Sequence, residues 1–403
     1  MNNKTQPAKL RIAFDTGTLN QRYRNQGIYN YARQLLAQFQ TLAAEQSVEI
    51  VPFVHPKAEN DANLFRESRG FVPATSKLLR SERFWRLGGA WLAALFENPD
   101  LLFCPTFTSL QFGPCPLVVT IHDATPVVMP STPDSINRKM KFQLAAAART
   151  ARRVITDSLC SKQDLMRIYG LPDEKVSVIY LGYDSEFYNT NVPDAGQAEA
   201  LLSQHGITRP YILHHGVIQP RKNLKRLVQA YRLMLARNRE IDVDLVLAGP
   251  LGWLYKEVLY EIQSDAAVRG RVILPGALSD ADLAILVKRS SLVAIPSLYE
   301  GFCLPMVEAM ACAAPAVVAA TSCLPEVSGG VLRYFDPLSL EAMAACMEEV
   351  LENSTLQREL STKGLARAQQ LSWRRCAQET LELLVQTAGG QSVRRGELAG
   401  ACL

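Results

Sequence analysis

Short, largely apolar runs alternate with stretches of helical period along almost the whole chain. The first series opens with an apolar run at 10–14. A helix is expected over 28–40, where Ile28, Tyr31, Leu35, Leu36 and Phe39 form one stripe. Runs at 117–121 and 153–156 follow, then a helix over 162–169 that Ser158 or Ser161 caps. The second series has runs at 211–214, 244–248, 272–274, 292–295 and 316–318. Strands that are apolar throughout and separated by helices belong to parallel sheets covered on both faces. The rhythm therefore predicts an α/β chain with two Rossmann-like, doubly wound parallel-sheet domains facing a central cleft. In such sheets ligands bind at the carboxyl ends of the strands.

A stretch over 184–210, rich in Asn, Pro, Asp, Gly and Gln, separates the two series and reads as a linker with one short helix. Domains are expected at 1–190 and 205–370. A last helix is expected at about 371–387, and the Gly-rich, polar tail over 388–403 is expected to be mobile.

Composition excludes several classes. The chain has 403 residues, 48% of them hydrophobic and 20% charged, which rules out collagen-like, disordered and small disulfide-scaffold chains. Its net charge of +4 is too small a surplus for a dedicated nucleic-acid wrapper, so no nucleic-acid partner is expected. Nine cysteines form no C-x-x-C pair, which fits reduced thiols in the cytoplasm better than a disulfide framework or structural zinc. The N-terminus does not read as a signal peptide. The longest weakly polar run, 307–320, contains Glu308 and Pro315 and falls short of the about 20 apolar residues a membrane span needs.

No dinucleotide-binding glycine motif, P-loop or serine elbow is present. Two D-x-D triplets, Asp242/Asp244 and Asp280/Asp282, are weak metal candidates. The first runs into a buried strand, and the second opens a helix whose dipole favours carboxylates. His214 and His215 end a strand with no carboxylate at metal spacing, and read as structural or as a minor cleft contact. No metal site is expected.

Two segments carry chemistry. In PSLYEGFCLPMVEAMACAAP, at 296–315, a strand leads through a short loop into a helix. Gly301 lets the backbone come close to a ligand, and the helix start suits an anion. Glu308 on the helix suits the two hydroxyls of a ribose; alternatively Glu300 is an ordinary loop residue and Glu308 a first-turn residue favoured by the helix dipole. In ILHHGVIQPRKNLKRLVQAY, at 212–231, a strand ends at Gly216. Arg221 and Lys222 then precede a helix, where cations are disfavoured unless an anion joins them. Two cations at such a turn suit a diphosphate.

In these segments the chain resembles the retaining nucleotide-sugar glycosyltransferases of family 4, which have the GT-B fold. The matched pattern is G-x(4)-RKN at 216–223, AGP-x-GW at 248–253, V-x-x-x-G at 272–276, PS-x-YEGF at 296–302, LP-x-x-EAMAC at 304–312 and LPEV at 324–327. The combination looks most like bacterial mannosyltransferases of surface-polysaccharide assembly, such as O-antigen synthesis. The resemblance implies that Gly216 ends the donor-side strand and that Arg221 and Lys222 bind the donor diphosphate. It places Glu308 on the nucleotide ribose and Glu300 on the transferred sugar. The backbone of Phe302, Cys303 and Leu304 would hold sugar hydroxyls and phosphate, and the turn reaching Leu278 would seat the base. In the first domain, His122 after a strand end would lie by the sugar and acceptor, or else be a satisfied core residue. Gly27 would open a loop that approaches the phosphates. The last helix would pack back on the first domain.

The family further implies transfer with retention from a nucleoside diphosphate sugar to an acceptor hydroxyl, with no cofactor besides that donor substrate and no metal. The leaving phosphate would take the acceptor proton; Glu300 as a covalent nucleophile is the alternative. GDP-mannose is the first donor choice, with UDP-sugars as the alternative. The acceptor would be a saccharide or a polyprenyl-linked glycan, met in the cytoplasm or at the inner face of its membrane. Two departures stand out: Cys303 and Ala313 replace frequent glycines, and a non-catalytic nucleotide-sugar binder is the reading they leave open. The segment 62–92 carries six cations against two acids, interleaved with Phe65, Phe71, Phe84, Trp85 and Trp91. It reads either as a surface for anionic membrane or as a helix with core aromatics and solvated arginines.

Overall fold

The computed structural model describes residues 9–19, 27–53, 98–107, 115–129 and 134–399. The basic, aromatic segment 62–92 lies outside the described residues. Two compact units are present. One is drawn from Met1–Ala124, Arg138–Leu181 and Trp373–Leu403, the other from Thr125–Asn137 and Gly182–Ser372.

The first unit is built on a six-stranded parallel sheet of order β2-β1-β3-β4-β5-β6. Its strands are β1 (Leu10–Asp15), β2 (Val48–Phe53), β3 (Leu101–Cys104), β4 (Leu117–Thr120), β5 (Arg153–Thr156) and β6 (Val176–Val178). Phe14 and Phe103 are fully buried and meet edge to face with centroids 5.5 Å apart. Each such ring contributes about 1.5–3 kcal/mol on burial. Helix α1 (Gly27–Glu45) covers this core with Tyr31, Leu35, Phe39 and Leu42. It runs one turn past the expected end because Leu42 keeps the stripe. Helix α2 (Leu159–Tyr169) is capped by Ser158, whose Oγ accepts from Ser161 N at 3.1 Å, and closes on Gly170 with φ +64°.

The second unit repeats the plan with order β12-β11-β10-β7-β8-β9. Its strands are β7 (Tyr211–His215), β8 (Asp244–Ala248), β9 (Val272–Gly276), β10 (Leu292–Ile295), β11 (Ala316–Ala319) and β12 (Arg333–Phe335). Three helices position its carboxyl-end loops: α3 (Leu224–Arg237), α4 (Asp280–Arg289) and α5 (Leu304–Ala311). The chain passes from β7 to β8 on one side and returns to place β10 on the other. The winding direction therefore reverses between β7 and β10, the place where open α/β sheets bind ligands.

Four strands escape the sequence reading: β2, β3, β6 and β12. Three of them are sheet edges, where one side needs no apolar cover, so Glu49, Ser177 and Arg333 interrupt the apolar run. The last helix, α6 (Trp373–Ala399), belongs to the first unit and sets Trp373 6.2 Å from the Tyr31 ring. It continues to Ala399, through much of the span read as a tail. No described helix is long and apolar enough to cross a membrane.

Candidate active site

Glycines shape the floor of the site. Gly216 follows β7 with φ +134°, and Gly249 follows β8 with φ +145°. A Cβ at Gly249 would stand 2.0 Å from the Gly216 carbonyl oxygen, so only glycine lets the two strand ends close. Gly252 is held the same way, 2.6 Å from Val217 Cγ1. The hydrogen bonds Gly216 N to Ala248 O (2.9 Å), Ile218 N to Pro250 O (2.9 Å) and Gly252 N to Ile218 O (2.9 Å) lock the loops together. The AGP-x-GW motif thus supports the loop that carries the cations.

That loop turns through a short 3-10 segment, Pro220–Lys222, and Asn223 takes a left-handed φ of +58° before α3. Asn223 is tied by Nδ2 to Pro337 O at 2.8 Å. Arg221 and Lys222 then point at the loop after β10. Arg221 Nη1 donates to the Tyr299 carbonyl at 2.8 Å and to Glu300 Oε2. Lys222 Nζ donates to Glu300 Oε1 at 2.6 Å. Glu300 is buried, and its own N–H donates to Ser322 Oγ at 3.0 Å. Burial alone would push its carboxyl up; Arg221 and Lys222 win and hold it down to about 2.

Glu308, on α5, meets a different field. Burial, Asp280 and Asp184 push its carboxyl up to about 8, against the pull of Lys222. Two carboxyls eight positions apart are thus held in opposite protonation states at neutral pH. His215 Nδ1 lies 3.5 Å from Glu308 Oε2. His214 Nδ1 donates to the Ala294 carbonyl, 2.9 Å away. Burial pushes these imidazoles down to about 4 (His214) and about 3 (His215), so both are neutral.

Phe302 and Cys303 are buried and Leu304 half-buried at the start of α5. Cys303 has φ +75° and Ala313 has φ +53°. Both are the left-handed positions where the motif often has glycine. The chain keeps the backbone and accepts the strain, so the replacement does not remove the turn.

Two family models match the chain. "Glycosyltransferase Family 4" covers residues 26–187, and "Glycosyl transferases group 1" covers residues 199–367. The chain is a glycosyltransferase of this two-domain family. It is 27% identical over 389 residues to the O-antigen chain mannosyltransferase B of Escherichia coli, covering 92% of this chain and 98% of that one. It is 28% identical over 272 residues to the serotype-specific mannosyltransferase WbdA of Escherichia coli, but spans only 33% of that longer protein. The Anabaena HepE structure in complex with UDP-glucose shares the fold, with a TM-score of 0.66 at 19% identity, covering 94% of this chain and 100% of that one. The two sheets are those of the GT-B fold.

In the transferase, Gly216, Arg221, Lys222, Glu300, Phe302, Cys303, Leu304 and Glu308 come together around the β7 and β10 ends of the second unit. Leu278, half-buried, lies in the turn between β9 and α4, on the far side of β8 from β7. Gly27 is the exposed first residue of α1, and His122 follows β4; both belong to the first unit. The His122 ring is fully engaged there. Nδ1 lies 2.8 Å from Asp157 Oδ2 and Nε2 3.1 Å from the Pro105 carbonyl. While Asp157 is ionised both partners are acceptors, and the ring then makes both bonds as an imidazolium; burial raises the Asp157 carboxyl as well. Burial opposes that charge, but Asp157 outweighs it and raises the pKa.

Three of the four D-x-D carboxylates have structural partners. Arg271 binds Asp242 at 2.6 Å and Asp244 at 3.2 Å, and Ser279 Oγ binds Asp282 at 2.7 Å. Among the described residues, no His, Cys, Asp and Glu cluster has metal-binding geometry, and all eight described cysteines are free thiols. Sequence reasoning missed His215 as a neighbour of Glu308. The only available signal was its place at a strand end, beside the motif loop.

Proposed function

We propose that the chain is a retaining mannosyltransferase that moves mannose from GDP-mannose to a hydroxyl of a growing surface glycan, free or polyprenyl-linked. The observation that carries this reading is the convergence of Arg221 and Lys222 on Glu300 where the second sheet reverses its winding. The named activity of the Escherichia coli relative supports the mannosyl assignment. As the anomeric carbon–oxygen bond to phosphate breaks, negative charge gathers on the diphosphate. Arg221 and Lys222 stabilise it, as fixed charges do at a developing oxyanion. The acceptor oxygen bonds to the anomeric carbon on the same face, and its proton passes to a phosphate oxygen. The products are GDP and the lengthened glycan. Glu300, ionised, faces the transferred sugar, and Glu308 binds the ribose. His122, held between Asp157 and the Pro105 carbonyl, is read as lying by the sugar and acceptor.

These two cations supply the charge that the departing diphosphate requires, so the reading includes metal-independent transfer. It also places the reaction in the cytoplasm, at the membrane face where a lipid-linked acceptor is presented. Co-sedimentation with anionic liposomes tests that last part.

Calorimetric titration with GDP and UDP, with and without EDTA, tests the donor. Tight GDP binding that ignores EDTA is expected. Preference for UDP overturns GDP-mannose, and binding of neither overturns the donor reading unless the site forms only with acceptor present. Lys222→Ala is expected to lower transfer by about 100-fold or more without unfolding the protein. Unchanged transfer removes Lys222 from the diphosphate.

A further inference from the structure

We infer that His215 is a positioning residue: it pins one oxygen of Glu308 and so turns the carboxyl toward the nucleotide ribose. The inference rests on the reading of Glu308 as the ribose ligand. His215 is 1% exposed at the last position of β7, and its Nδ1 reaches 3.5 Å from Glu308 Oε2 on α5. Its Nε2 is buried without a hydrogen-bond partner among the described residues. A buried N–H left unpaired costs more than a buried lone pair left unpaired. The neutral ring is therefore the Nδ1–H tautomer, whose proton has the Pro305 carbonyl as one acceptor and Glu308 Oε2, at 3.5 Å, as the other. This holds whether or not Glu308 carries a proton, because that proton then sits on Oε1. His215 thereby fixes which oxygen is left for the ribose hydroxyls.

Other groups also face Glu308. Asp280 comes from the first turn of α4, Asp184 and Tyr188 from the segment after Gly182, Cys312 from the end of α5, and Lys222 from the turn after β7. Asp280 and Asp184 repel the carboxylate, and Lys222 lies on Glu300 in the free protein. Tyr188 and Cys312 are kept protonated, by burial first and then by Glu308, and Cys312 is engaged by the Asn189 backbone. His215 is the imidazole of that set, with Nδ1 3.5 Å from the carboxyl. Because Glu308 is pushed up to about 8, nucleotide affinity is expected to rise with pH through that value, as the carboxylate becomes able to accept from both hydroxyls.

The test measures affinity for the tighter binder of GDP and UDP, and for its 2′,3′-dideoxy analogue, between pH 6 and pH 9. His215→Phe is expected to weaken the ribonucleotide by roughly 3- to 10-fold and to move the pH midpoint upward. The dideoxy analogue should not feel the change. His215→Asn, which keeps a donor near the Nδ1 position, should restore both the affinity and the midpoint. Equal losses for the two nucleotides, or an unmoved midpoint, overturn the inference. If His215→Phe does not fold, nitrogen NMR of the wild-type imidazole decides: an Nε2–H tautomer overturns the proposal. Glu308→Ala separates the two readings. If it leaves ribonucleotide affinity unchanged, the ribose assignment itself fails; if only His215→Phe is silent, the positioning role alone fails.

Discussion

Cys303 and Ala313 show what a sequence departure means in a fixed fold. Both stand at positive φ, where a side chain other than glycine costs about 1–2 kcal/mol. Cys303→Gly and Ala313→Gly are therefore each expected to leave the fold intact and raise stability by up to about 1 kcal/mol, after the added freedom of the unfolded chain is deducted. Urea denaturation checks this, and a clear loss of stability in both would show that the side chains pack better than the backbone is strained. The titrating residues give a second prediction. His214 and His215 are pushed down to about 4 and about 3 from the ordinary 6.5, so stability is lost as pH falls below about 6.5. Glu300, held down to about 2, loses its contribution below the ordinary carboxylate range. Glu308 acts oppositely: pushed up to about 8, it takes stability away as pH rises from about 4.5 to 8. Together these groups place the maximum for the second unit near pH 6.5. Hydrogen exchange in β7 and α5 should be slowest there once corrected for intrinsic rates, and a maximum at pH 8 or above would contradict the assignment of Glu308.

Among the elements, the β7 and β8 loops are interlocked by backbone, and this was only partly legible beforehand. The order of G-x(4)-RKN, AGP-x-GW and YEGF is readable in the sequence, and so is the strand-to-helix setting of Arg221 and Lys222. What the letters do not give is the pairing. That Gly249 exists to admit the Gly216 carbonyl depends on two strands far apart in the chain lying side by side. His215 was hidden for the same reason, since its partner is on α5. Edge strands such as β12 were hidden because a half-exposed strand needs no apolar run. Gly249→Ala is expected to destabilise the second unit by about 3 kcal/mol. Gly270→Ala, where nothing lies within 4 Å of the new methyl, should be nearly silent. A thermal shift series over the two variants separates them, and equal shifts would mean that the β7 loop can move aside.

Across the molecule, two sheets of six parallel strands repeat one plan, and the alternation of apolar runs announced both. The assignment of the last helix was not visible in composition. It depends on Trp373, Cys376, Thr380 and Leu384, whose buried stripe returns the chain to the unit that opens it. Removing residues 373–403 is expected to strip cover from Tyr31 and α1 and to speed hydrogen exchange there, while β10 in the second unit keeps its protection. Equal loss in both units would mean that α6 stabilises the whole chain rather than its own unit. One further property follows from the placement of Glu300. The chain carries a resident counter-ion for its two binding cations. Under the proposed function, any anion that enters must outcompete a carboxylate already tethered beside them, which favours a chelating pyrophosphoryl group over a single phosphate. On that reading, Glu300 is the group that an arriving diphosphate displaces and that returns to Arg221 and Lys222 when the site empties.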